Sequence, residues 1–399
     1  MKTIKNKTAL LAVILISYFI VGFPDGSFTA SWPGIEYDLR LGIAHAGYIL
    51  VGYSVAYTFA GVILSWLNRF IKLQTVYLFG LVIMGLGFVG LAVSPNFAIL
   101  LTFITIYGFG TGAMAASMNS YMAKHFTTRH NNWMHCLWGA GAAISPIIMS
   151  QMREAISWRA GYFVIVGIVG VVGLILLISM YKKMWIDEPQ EQQPGEETKI
   201  TVKEKYLTKK WHQIVEIATF FFLGGTDYTL VFFTVMVMEA RGMSAIAAGM
   251  FATVYYICMT AGRVFFGWLA KWVKEVPIIR IGCAIAVGGI AVLAFTNNIT
   301  GIALAGFGLA PLLPTLVSDT SNRFTPRVIS KLVGYELAAF GAGIAVLFFI
   351  TSLVLEHVTL EALFPIGVAF VALVFICNEI LARAVKTNDA SRTRTSKAE

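Results

Sequence analysis

Segments of about twenty mostly apolar residues recur along the chain, separated by short polar breaks, and each is long enough to cross a bilayer as a helix. Twelve such spans are expected, over 9–31, 45–66, 74–94, 97–123, 133–155, 161–181, 211–237, 245–270, 277–296, 298–320, 330–355 and 361–384. The ninth and tenth are divided only by the polar pair Asn297 and Asn298. One break differs from the rest. Residues 182–210 hold DEPQEQQPGEETK and then Lys203, Lys205, Lys209 and Lys210, a composition that reads as a linker. Six spans lie on each side of it. The expected organisation is an N-terminal six-helix bundle over 1–181, a cytoplasmic linker over 182–210, a C-terminal six-helix bundle over 211–385 and a cytoplasmic tail over 386–399.

The two halves repeat one another. Shifting the sequence by 202 residues lays FIVGFPD (19–25) on FFLGGTD (221–227), so that Gly22 meets Gly224 and Asp25 meets Asp227. The same shift pairs Gly47 with Gly249, Trp66 with Trp268 and Arg69 with Lys271. A shift of 198 lays the GFG of span 4 (108–110) on the GFG of span 10 (306–308). Because six spans separate the copies, both have the same orientation, which makes this a parallel repeat about an axis along the membrane normal.

Composition agrees with the spans. The chain of 399 residues is 57% hydrophobic and 13% charged, against about 25% charged in soluble domains. A net charge of +9 would suit nucleic acid, but its distribution points to a membrane. Assigning alternate loops to the cytoplasm places 25 Lys and Arg on that side and four (Arg40, Arg153, Arg159, Arg241) on the other, with Arg263 inside span 8. The asymmetry puts both termini in the cytoplasm of a multi-pass protein of the cell membrane. Span 1 is long and lacks a clear small-x-small cleavage pattern, so it is expected to stay as a helix. Cys136, Cys258, Cys283 and Cys377 all lie in spans without CxxC or metal spacing, and read as packing residues. No GK[ST] phosphate loop occurs, which removes ATP-driven transport by this chain alone.

Twelve spans as six plus six, a central linker and a basic loop after span 2 resemble the major facilitator superfamily. The resemblance covers essentially the whole chain. The family's loop signature, roughly Gly-x-x-x-Asp-x-x-x-Arg, is matched by GVILSWLNRF (61–70) at Gly61 and Arg69, with Ser65 in place of the acid; the second copy, GRVFFGWLAKW (262–272), carries Gly262, Arg263 and Lys271. The resemblance implies gating or structural roles for Arg69, Arg263 and Lys271. Within the superfamily, NSYMAKHF…NNWMHCLWGAGAAISP (119–146) is similar to the fucose-permease-like sugar:proton symporters at Asn119, His135, Gly139, Gly141 and Pro146. Ala115 stands where fucose permease has a Glu, so neither fucose nor one fixed coupling residue carries over.

Acids inside spans are costly unless they face a cavity or a partner. Asp25 lies in GFPDG, between a helix breaker and a helix loosener, and irregular backbone at membrane depth is tolerated only where protein or water covers it. The resemblance places span 1 along a central cavity, so Asp25 is expected to couple protons or bind substrate, or else to cap the broken helix. Asp227 repeats this in GGTDY. Glu336, in GYELAAFGAG, is a third acid and a further proton-coupling candidate, or else a structural partner of Arg263 or Lys331. His135 suits proton relay but also reads as a hydrogen-bonded residue at the start of span 5. Asn119, Trp138, Tyr228 and Tyr335 are expected substrate contacts, weighed against ordinary packing and the interfacial preference of Trp and Tyr. Pro311 and Pro314 mark a kink in span 10.

The expected activity is secondary transport of a small polar solute, a sugar or related compound, by proton-coupled alternating access, with proton-driven export of lipophilic or cationic compounds as the alternative. The expected partners are a small-molecule substrate and the lipid bilayer, with no nucleic acid; the working unit is expected to be a monomer. No cofactor beyond the proton gradient and no enzymatic activity are expected.

Overall fold

The computed structural model describes residues 2–67, 70–185, 207 and 209–395. Arg69 and most of the 182–210 linker therefore lie outside the described residues. All twelve expected spans are helical. Span 1 is split into α1 (Lys2–Val21) and α2 (Phe23–Leu39). Spans 2 to 6 are α3 (Ala44–Leu67), α4 (Leu73–Val93), α5 (Phe97–His125), α6 (Thr128–Ala155) and α7 (Trp158–Tyr181). Spans 7 to 9 are α8 (Lys210–Ala240), α9 (Ala245–Leu269) and α10 (Glu275–Phe295). Span 10 is split into α11 (Thr300–Leu309) and α12 (Leu312–Arg323), and spans 11 and 12 are α13 (Pro326–His357) and α14 (Leu363–Thr395).

Both splits have local causes. The first falls at Gly22, and Pro24, one residue into α2, has no N–H to continue the ladder of α1. The second falls at Ala310–Pro311, the kink expected from sequence. Counting each split pair once, eleven stretches among the described residues are long and apolar enough to span a membrane. The remaining one, α6, is helical but more polar, since it holds His130, Asn131, Asn132 and Arg153. The last helix runs on to Thr395, so much of the expected tail is helical.

The chain divides into two compact units, Met1–Gln192 with Phe232–Ile257, and Gln193–Val231 with Cys258–Glu399. This differs from a division at the linker: residues 232–257, the end of α8 and the start of α9, belong with the first unit. Phe232 packs on Phe28 and Trp32 of α2, Tyr256 meets Trp138 of α6, and Gly249 lies against Ser150.

The 202-residue repeat is reproduced contact by contact inside each unit. A Cβ added at Gly22 would collide with the carbonyl of Trp138, and one at Gly224 with the carbonyl of Phe340. In the reverse direction, Gly141 lies against the carbonyl of Phe19 and Gly343 against that of Phe221. All four residue pairs differ by 202. The GFG glycines 198 apart make matching crossings onto partners 202 apart: Gly110 fits over Gly80 and Met84, and Gly308 over Gly282 and Ala286. Small residues at such crossings let helix backbones approach. Gly141→Val and Gly343→Val should each destabilise the protein by about 1–3 kcal/mol through overpacking. Gly167→Val, which meets nothing within 4 Å, should leave the melting temperature in detergent unchanged; equal melting of all three variants would contradict the assignment.

Candidate functional site

The break at Gly22 puts Asp25 in the first turn of α2, where the partial positive charge of a helix N-terminus favours a carboxylate. Asp25 is half-buried, and Thr29 Oγ1 donates to its main-chain carbonyl at 2.7 Å. Tyr57 of α3 lies near Asp25 and near Tyr18 of α1. The Tyr18 hydroxyl accepts from Asn119 Nδ2 of α5 at 3.4 Å, and the same amide donates to the Ala115 carbonyl at 2.8 Å. The His135 ring of α6 meets the Tyr18 ring edge-on, 5.7 Å between centroids. Four elements, α1 with α2, α3, α5 and α6, thus gather an acid, two phenols, an amide and an imidazole in the first unit.

Tyr18 links this grouping; it stands seven residues before Asp25, on the other side of the break at Gly22. His135 is not at a helix start. Thr127 is extended, Thr127 Oγ1 and His130 Nδ1 approach to 2.8 Å, and α6 begins at Thr128, so His135 is two turns inside.

The other candidates fall elsewhere. Trp138 is half-buried, its ring edge-on to that of the buried Tyr256 at 6.3 Å. Asp227 and Tyr228 are half-buried on α8, where the Tyr228 ring meets Phe348. Tyr335 is 60% exposed. Lys271 is exposed, and Arg263 is half-buried with Nη2 at 3.9 Å from Met259 Sδ. Glu336 pairs with neither Arg263 nor Lys331. It is fully buried and meets Thr320 Oγ1 at 2.9 Å, beside an ion network that sequence reasoning missed.

That network joins α8, α12, α13 and α14 in the second unit. Arg323 is 2% exposed. Its Nη1 donates to Glu216 Oε2 at 3.0 Å, and its Nη2 reaches Asp319 Oδ2 and Asn378 Oδ1, both at 2.5 Å. Arg323 lies three residues beyond the end of span 10 expected from sequence; α12 runs one further turn and brings it into the network, four residues from Asp319. Leu207, the one described residue between 186 and 208, donates its N–H to the Arg323 carbonyl at 2.7 Å and packs with Phe324, Leu332 and Leu381. In the first unit, Arg153 pairs with Glu239 and donates to the Ala30 carbonyl at 3.0 Å, while Glu154 accepts from the Ile246 N–H at 3.1 Å. Arg153 is thus also a helix residue with partners, not a loop cation.

Residues 14–335 match the Major Facilitator Superfamily. The chain belongs to the major facilitator superfamily. Two relatives in Bacillus subtilis (strain 168) are each 23% identical: an uncharacterized MFS-type transporter, YtbD, over 85% of this chain and 86% of that protein, and a hexuronate transporter over 68% and 66%. Among solved structures, the chain is similar to a nucleoside transporter, NupG (TM-score 0.76, 13% identity, 93% of this chain and 99% of that one). It is also similar to a peptide transporter, POT (TM-score 0.75, 12% identity, 95% of each). At these identities the structures share the fold. The protein is a multi-pass membrane transporter of this superfamily.

Proposed function

We propose that the protein moves a small polar solute of the sugar class across the cell membrane by proton-coupled alternating access, with both termini in the cytoplasm. The observation that carries this reading is the gathering of Asp25, Tyr18, Tyr57, Asn119 and His135 around a broken helix. A carboxylate and an imidazole, each next to one of the two phenols, supply groups that bind and pass protons, and amide and phenol groups suit hydroxyl-rich solutes. The sequence similarity of 119–146 to fucose-permease-like symporters and the hexuronate transporter among the relatives support the sugar class. Asp25 is the proton carrier in this reading, and Asp227 is its repeat counterpart. Trp138 and Tyr228 add aromatic faces for substrate. Tyr335, as exposed as it is, contributes least.

The reading is tested by uptake into proteoliposomes under an inward proton gradient, with neutral sugars, polyols and hexuronates in one panel and hydrophobic cations in another. Accumulation of a member of the first panel supports it. Outward movement of the cations against protons, with no response to the first panel, replaces it by the exporter. Tyr18→Phe should weaken solute binding by about 1 kcal/mol, roughly five-fold, with little change in melting temperature; unchanged affinity would remove Tyr18 from the site.

A further inference from the structure

We propose that Glu336 and Thr320 hold a proton, forming a second proton-binding site in the Gln193–Val231 and Cys258–Glu399 unit, apart from Asp25. The geometry around one hydroxyl carries this. Thr320 Oγ1 stands 2.9 Å from Glu336 Oε1, 3.3 Å from Glu216 Oε1 and 3.1 Å from the Leu316 carbonyl. A hydroxyl has one proton to give and two lone pairs to receive with. Were Glu336 ionised, all three neighbours would be acceptors competing for one proton, and the hydroxyl's lone pairs would face nothing but oxygen. With a proton on Glu336 Oε1, the carboxyl donates to Thr320 Oγ1, and Thr320 passes its own proton to Leu316 or Glu216. One of the two carboxylates competing for that single hydroxyl hydrogen is then removed.

Charge points the same way. Arg323 is the cation of the network, and its guanidinium is already engaged by Glu216 and Asp319. Glu336 is 0% exposed and, among the described residues, makes no ion pair and leaves its Oε2 without a hydrogen-bond partner. Unpaired buried charge is far costlier than a neutral carboxyl. Other titratable groups on the packed elements include His212 one turn before Glu216 on α8, Glu275 of α10 at 3.4 Å from Ser318, Lys331 and Tyr335 on α13, and on α14 Cys377 beside Asn378 and Glu379, which pairs with Arg280 of α10. None of them is an ion-pair partner of Glu336. Loss of the proton would leave two carboxylates, Glu216 and Glu336, facing each other across one hydroxyl, and would drive α13 away from α8.

Infrared difference spectra of the full chain in lipid nanodiscs, titrated from mildly acidic to mildly alkaline, test this. A protonated carboxyl has a carbonyl stretch distinct from that of a carboxylate, shifted in D2O. The expected result is such a band near neutral pH that is absent in Glu336→Gln, retained in Asp25→Asn, and displaced in frequency in Thr320→Val. A parent spectrum identical to that of Glu336→Gln across the titration would overturn the proposal. So would a band in Thr320→Val at the parent frequency, a comparison that stands even if Glu336→Gln fails to fold. Failure of the sugar reading would appear as absent uptake with this band still in place, so the two outcomes separate.

Discussion

Asp25→Asn should abolish accumulation of solute against its gradient, bringing uptake down to simple equilibration, while solute exchange across the membrane continues. An amide keeps the shape and polarity of the carboxyl at the first turn of α2 but cannot take up and release a proton. If Asp25 carries the coupled proton, only the uphill component disappears. Counterflow and proton-driven uptake measured on the same proteoliposomes check this. If Asp25 instead serves to anchor the α1–α2 break, the variant loses melting temperature and both transport modes together. Retention of full uphill uptake would remove Asp25 from the coupling role.

Arg323→Met should destabilise the second unit by about 3–5 kcal/mol, the range found when one partner of a buried ion pair is removed. The loss arises mainly from what is left behind: Glu216 and Asp319, both buried, would share a low-dielectric pocket with no cation. The remedy follows from the cause. Arg323→Met combined with Glu216→Gln and Asp319→Asn should recover most of the lost stability, because no uncompensated charge remains. Thermal unfolding in detergent of the parent, the single and the triple variant checks both statements. A triple variant as unstable as Arg323→Met would show that Arg323 acts through packing rather than through charge.

The spans and the repeat could be read from the chain because membrane helices write themselves as long apolar runs, and because close helix crossings demand glycine. Gly22, Gly141, Gly224 and Gly343 stand at equivalent crossings, so the 202-residue shift recorded a packing requirement. The break at Gly22–Pro24 was legible for the same reason. The second unit's ion network was not. Arg323 looked like a loop residue because a cation after an apolar run usually marks the membrane edge, and nothing in one dimension shows that Glu216, more than a hundred residues away, meets it. Tyr18 was missed because a tyrosine in an apolar span reads as packing until its neighbours are known. Glu336 was identified as an unusual acid but given the wrong partners: spacing along α13 suggested Lys331, whereas the fold supplied Thr320 from α12. The division between the units followed tertiary contacts of 232–257, which no shift in composition announces.

The central claim is that solute movement and proton movement are one process in this protein. The most direct measurement uses the purified full chain in proteoliposomes enclosing a pH-sensitive dye, with no imposed proton gradient. Sugars, polyols and hexuronates are added outside one at a time. The account predicts that one of these solutes acidifies the lumen as it enters, and that the response vanishes in Asp25→Asn. Entry of a labelled solute with no change in lumenal pH would contradict it.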